Sequence, residues 1–138
     1  MLLDTHIALW LDTGDRSLRP GTRDAIDACW KRGGTIYLSA VTIWEIAMLV
    51  DRGRVTLDGP IEAWTTRFLD RPGIEGVPLG VSAAMRGYQL HAFENRDPAD
   101  RLLIATAIDL GCPLVTYDSR IRRFGDRYGE RHGFSTVA

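Results

Sequence analysis

The sequence has almost no lysine: of its 17 basic side chains, Lys31 is the single lysine and the rest are arginine. Arginine's planar fork suits bidentate contact with phosphate and carboxylate, although a GC-rich genome favours the same bias. Cysteine is nearly absent. Cys29 and Cys112 stand in no CxxC or CxxH spacing, which excludes a disulfide scaffold and a thiolate metal cluster and leaves two core thiols in a reducing compartment. No run reaches the roughly 18 apolar residues a spanning helix needs, and the longest, IWEIAMLV, is broken by an acid. The formal net charge is only -1, so no global field draws in nucleic acid and any such contact must rest on a local patch. MLL opens an apolar strand without the basic start of a secretory leader, and a cytoplasmic protein is expected. With no linker, repeat or low-complexity stretch, 138 residues are expected to form one domain, 1–138.

Short apolar runs alternate with helical patterns from end to end. Strands are expected at Met1–Leu3, at TIYL (Thr35–Leu38), around IEGVPL between Gly73 and Leu79, and at LVTY after Pro113, with FSTV as a last edge strand. Helices are expected over His6–Leu11, Asp24–Lys31, Val41–Val50, from Pro60 to about Leu69, and near Ser82–Leu90. The sharpest boundary is Asp97-Pro98, an N-cap followed by proline at the first helical position. It opens the helix DRLLIATAIDL, which Gly111 closes as a left-handed cap. The segment SRIRRFGDRYGERHG after Asp118 reads as a polar loop. Strands alternating with helices imply right-handed crossovers and a mainly parallel, doubly wound sheet. In such sheets the functional crevice lies beyond the carboxyl ends of the strands, at the switch in strand order.

Four acids interrupt apolar segments near that face. Asp4 follows MLL, and Asp118 follows LVTY, each just past a strand; alone, either is an ordinary turn or cap acid. Glu45 sits in VTIWEIAMLV, where an ionised carboxylate among apolar neighbours costs several kcal/mol unless compensated. Asp100 lies in the first turn after Pro98, where the helix dipole also favours an acid. If all four meet, they repel one another until a cation neutralises them. An all-oxygen set without thiolate or a histidine pair selects Mg²⁺ or Mn²⁺, which can activate water against a phosphodiester. Thr5, Ser39 and Thr116 are positioned to add supporting hydroxyls.

MLLDTHIALW, LSAVTIWEIAMLV, RDPADRLLIATA and LVTYDSRI, in this order and spacing, resemble the four acidic motifs of PIN domains, and more narrowly those of VapC toxins of bacterial toxin–antitoxin pairs. The resemblance runs from Met1 to about Ile121. It implies an α/β/α sandwich around a parallel sheet of about five strands, a Mg²⁺- or Mn²⁺-dependent endoribonuclease, homodimerisation and inhibition by a cognate VapB antitoxin. By position, Asp4, Glu45, Asp100 and Asp118 match the four acids, Asp97 the extra acid of the DPxD element, read chiefly as an N-cap, and Thr116 the hydroxyl residue before the fourth acid. One departure is Asn95, which stands where members often carry histidine.

Among the remaining residues, Arg120, Arg122, Arg123 and Arg127 are candidates to cradle RNA backbone beside the acids, and Arg101 to contact RNA or to orient Asp100. His6 reads as a packed or capping side chain, His132 as exposed, and the four tryptophans as core or interface. Other functions compete: a PIN-type nuclease that processes cellular RNA without an antitoxin, a non-catalytic binding module that kept the fold, which the presence of all four acids disfavours, and a receiver-like signalling domain with an acidic Mg²⁺ pocket. The receiver would want a lysine after a later strand, and the single lysine lies early.

Overall fold

The computed structural model describes residues 1–95 and 97–138. Strand β1 (Leu2–Leu3) leads into helix α1 (Thr5–Thr13) and α2 (Pro20–Lys31); β2 (Ile36–Ser39) leads into α3 (Ala40–Asp51) and α4 (Ile61–Leu69). Strand β3 (Ile74–Val77) is followed by α5 (Val81–Gln89) and α6 (Pro98–Leu110), β4 (Leu114–Val115) by α7 (Ser119–His132), and β5 (Thr136–Val137) ends the order. The five strands are all parallel in the order β3-β2-β1-β4-β5. The chain therefore works outward from β1 to β3, then returns to lay β4 on the other side of β1. Loops after β1 and β4 diverge there, which opens a crevice at their carboxyl ends.

The central strands are only two residues long, yet every one of their side chains is fully buried. Alternation along a strand sends neighbours to opposite faces. Leu3 and Val115 join a core with Ile7, Ile26, Ile46, Trp64 and Phe68, whereas Leu2 and Leu114 join one with Leu103, Ile104, Ala107, Ile121 and Phe124. Helices α1, α2 and α4 thus cover one face and α6 and α7 the other, the expected three-layer α/β/α sandwich. Helix α3 crosses between the layers, with Val41 in one core and Ile46 in the other.

Two expectations need correction. The segment after Asp118 is helix α7, not a loop. Its apolar residues Ile121, Phe124 and Tyr128 recur at helical spacing against the second core, but arginines and glycines dilute the pattern. Gly129 is required by close approach: a Cβ there would collide with the carbonyl oxygen of Phe134, so the helix can press against the strand that follows. His132, expected exposed, is half-buried beside the Phe124 ring at 5.5 Å. Cys29 and Cys112 are free and half-buried. No helix among the described residues is long and apolar enough to cross a membrane.

Candidate active site

Each acid is placed by a local device that the backbone needs for its own reasons. Asp4 ends β1 and caps α1, accepting from Thr5 N at 2.7 Å with one carboxylate oxygen. Its other oxygen accepts from Thr116 Oγ1 at 2.5 Å, a contact between residues of the adjacent strand ends. Asp118 caps α7 in the same manner, accepting from Arg120 N at 2.7 Å and Ile121 N at 3.1 Å. Two acids distant in sequence therefore face each other across the switch point between β1 and β4. Asp97 caps α6 through Ala99 N at 3.0 Å, Pro98 begins the helix, and Asp100 falls on its first turn. Glu45 lies in the second turn of α3, where Thr5 Oγ1 donates to its Oε2 at 2.5 Å.

The electrostatics tie these groups into one cluster. Burial raises the Asp4 carboxyl above its usual range; donation by Thr116 and Thr5 and the charge of His6 work against this, and Asp118 adds to it. The residue as a whole keeps some exposure, but its carboxyl is enclosed. Burial likewise raises Glu45, eased by Thr5 and His6 and reinforced by the charges of Asp4 and Asp97. Asp100 is pushed up to about 7, first by burial and then by Asp97, Asp4 and Asp118. Asp118 goes the other way: its burial is outweighed by the Arg120 guanidinium at 3.1 Å and by two backbone N–H donors. Buried carboxyls with raised pKa at the switch point of a parallel sheet are candidates for a functional site.

Asp4, Glu45, Asp100 and Asp118 are thus brought to one pole of the sheet, with Asp97 inside the field of Glu45 and Asp100. The donor set is all oxygen, as a hard cation requires. Among the described residues no group of three or more acids, histidines or cysteines is set closely enough to hold a metal ion directly.

Supporting residues divide sharply. Thr5 and Thr116 touch the acids. Ser39 does not: it caps α3 through Val41 N at 3.1 Å. Arg101 makes no hydrogen bond to Asp100, whose partner is Asn95. Its guanidinium donates to the carbonyls of Asn95, Leu90 and Phe93 at 2.9, 2.9 and 2.6 Å, with that of Gly87 at 3.4 Å. It staples the segment between α5 and α6. Arg122 lies two residues round the helix from Arg120, away from the acids, and lines no cavity with Arg120, Arg123 and Arg127. His6 is exposed, its ring tilted beside that of Trp10 at 5.7 Å, so it neither packs into the core nor caps.

Asn95 was the residue sequence reasoning undervalued. Its amide donates to Asp100 Oδ2, and its side-chain oxygen accepts from Asp97 N at 3.2 Å. The signal was its place two residues before a capping aspartate, where an Asx turn belongs.

A PIN domain family model matches residues 1–127. The chain is similar to Ribonuclease VapC22 of Mycobacterium tuberculosis, with 31% identity over 122 residues, 88% of this chain and 89% of that protein. Its structure is similar to that of VapBC2 from Rickettsia felis bound to a DNA fragment from their promoter, with a TM-score of 0.67 at 14% identity, covering 99% of this chain and 96% of that one. It is also similar to FitAcB from Neisseria gonorrhoeae, with a TM-score of 0.56 at 19% identity and the same coverage, 99% and 96%. At these identities the structural likeness is one of fold.

Proposed function

The chain belongs to the PIN domain family, and on that premise we propose that it is a divalent-metal-dependent endoribonuclease, the toxin of a toxin–antitoxin pair acting in the cytoplasm. The observation that carries this reading is the group of Asp4, Glu45 and Asp100, three acids with raised pKa whose hydrogen-bond donors are hydroxyls, an amide and a backbone N–H. Asp4, Glu45, Asp100 and Asp118 would hold Mg²⁺ or Mn²⁺, with Asp97 close behind. When bound, such an ion supplies charge neutralisation at the phosphoryl oxygens and a more acidic attacking water.

The chain's own residues prepare the rest. Thr116 and Thr5 fix the Asp4 and Glu45 carboxylates in one orientation before anything binds, so little reorganisation remains at the moment of reaction. Asn95 does the same for Asp100. Arg120, beside Asp118, supplies positive charge at the mouth, where a phosphodiester must approach a cluster of like charge. The reaction is hydrolysis: water oxygen bonds to phosphorus, the bond from phosphorus to a ribose oxygen breaks, and that oxygen takes a proton.

The partner is proposed as a VapB-type antitoxin, supported by the family resemblance and by fold likeness to VapBC2. A second copy of the chain is proposed to cover the apolar face formed by Trp44, Leu79, Val81, Met85 and Tyr88, which is exposed here and larger than scattered surface residues require. The deciding experiment incubates purified protein with labelled RNA in Mg²⁺ or Mn²⁺. Cleavage should stop with EDTA, with Asp4→Asn, and on co-expression with the product of a short reading frame beside the gene. Equal cleavage with EDTA and by Asp4→Asn would end the proposal.

A further inference from the structure

Beside the acids lies a basin of about 330 Å³ between helix α7 and the segment before Asn95, a volume in the range of pockets that take one small ligand. One wall carries Arg120, Arg123 and Arg127. Their spacing puts all three on one face of α7. The floor is aromatic, formed by Phe93, Phe124 and Tyr128, with Phe93 edge-on to Phe124 at 5.5 Å and Tyr128 tilted beside it at 5.6 Å. Phe93 and Phe124 are buried, while Tyr128 keeps part of its ring open.

Three observations connect this basin to the acids and specify its occupant. First, its two rims are residues already engaged there: Arg120 is bound to Asp118, and Asn95 to Asp100. A strand whose phosphate lies at the acids runs directly into the basin. Second, among the described residues no carboxylate stands within ion-pair distance of Arg123 or Arg127, so both forks are free for an anion. Third, Glu94, on the segment before Asn95 rather than on α7, also lines the basin, and its charge disfavours phosphate on that side. Arginine on one side, a repelling acid on the other and an aromatic floor between them match a nucleotide: phosphate on the wall, base on the ring.

We propose that this basin is a subsite for the unpaired nucleotide adjacent to the scissile phosphate, with Arg123 and Arg127 gripping its phosphate and Tyr128 supporting its base. The proposal rests on the ribonuclease reading above. It gives helix α7 a substrate-binding role and leaves Arg122, on the other side of that helix, outside it.

The test uses the full chain carrying Asp4→Asn, which keeps the α1 cap and leaves RNA intact. Binding of a fluorescein-labelled, single-stranded RNA octamer is followed by anisotropy across a salt series. Adding Arg123→Ala and Arg127→Ala should weaken binding about tenfold or more and reduce the log–log salt slope by roughly 0.7, the value for one single-strand phosphate contact. Adding Arg122→Ala should change affinity less than about twofold. In the same Asp4→Asn parent, Arg123→Lys with Arg127→Lys should keep the salt slope but recover only part of the affinity, because a point charge replaces the fork. In the active protein, alanine at both positions should raise KM while kcat holds. Parent-like affinity and slope in the double alanine variant, with the wild type cutting RNA normally, would overturn the subsite alone. A kcat fall at constant KM would overturn it too. If Arg122→Ala had the larger effect, α7 binds by its other face and the basin is not the site. A wild type that neither cuts nor binds RNA in Mg²⁺ removes the ribonuclease reading and this subsite with it.

Discussion

Helix α1 carries an acid at each end, and the two are treated oppositely. Asp12, in its last turn, accepts from the Trp64 indole N–H at 2.8 Å and from the Arg71 guanidinium, with Arg67 at 4.0 Å. Asp4, at its start, receives one backbone N–H and one hydroxyl. Both are acids at a boundary of the same core. A chain rich in arginine gave two guanidinium groups to the first, while the second, like Glu45 and Asp100, received neutral donors. Structural carboxylates in this fold are neutralised by the fold itself. At the switch point the donors to Asp4, Glu45 and Asp100 are neutral. Burial and mutual repulsion therefore raise these carboxyls, and a proton balances their charge where no cation does, while Asp118 has Arg120.

The largest effect should come from breaking the uncompensated end. Asp4→Asn or Asp100→Asn should lower RNA cleavage by about two orders of magnitude or more, as loss of several kcal/mol of charge stabilisation implies. The variants should remain folded, because Asn caps a helix about as well as Asp at position 4, and at position 100 it replaces a carboxyl whose ionised form burial already disfavours. Gel assays beside circular dichroism read both. Asp12→Ala should do the reverse. It leaves Arg71, 30% exposed, without its partner, and should cost about 2–4 kcal/mol of stability with the rate per folded molecule unchanged. If Asp12→Ala silenced cleavage at full stability, the division between the two ends would collapse.

Titration sharpens the contrast further. Asp100 is raised from 3.8 to about 7, so between those values the folded chain holds a proton that the unfolded chain has released. Without divalent ions, stability should therefore fall as pH rises from about 4 through 7, and Asp100→Asn should flatten that decline. The rise in melting temperature on adding Mg²⁺ should grow over the same range, since the ion competes with that proton. A profile unchanged by Asp100→Asn would show that the decline arises elsewhere. The smallest effect belongs to Glu45→Gln, which removes a like charge next to Asp4 and should be neutral or stabilising by less than about 1 kcal/mol without metal. A drop of several degrees would show that Glu45 is structurally paired after all.

How much of this could be read in advance depended on whether the cause was local. Helix α6 was legible at both ends because Asp97, Pro98 and Gly111 act within a few residues of themselves. The acids of the crevice were legible as anomalies, Glu45 most of all, because an ionised side chain among Trp44 and Ile46 needs a reason. Their meeting rested on the return of β4 to the side of β1, a pairing that alternating elements suggest but do not specify. Helix α7 was missed because arginines and Gly125 and Gly129 hide a sound period of Ile121, Phe124 and Tyr128. The stapling role of Arg101 was invisible for a different reason. Its partners are carbonyls of a segment that precedes it, and nothing in Asp100-Arg101 says which way the guanidinium turns.

The hydroxyl bond from Thr116 to Asp4 joins residues 112 positions apart in the chain, and that separation sets when the acidic cluster exists. A chain emerging from the ribosome exposes Asp4 and Glu45 early, yet the segment that seats Asp4, caps with Asp118 and brings β4 against β1 is translated near the end. Any truncated product therefore carries half a cluster on an incomplete sheet. The acids of the crevice can act together only once synthesis is nearly finished.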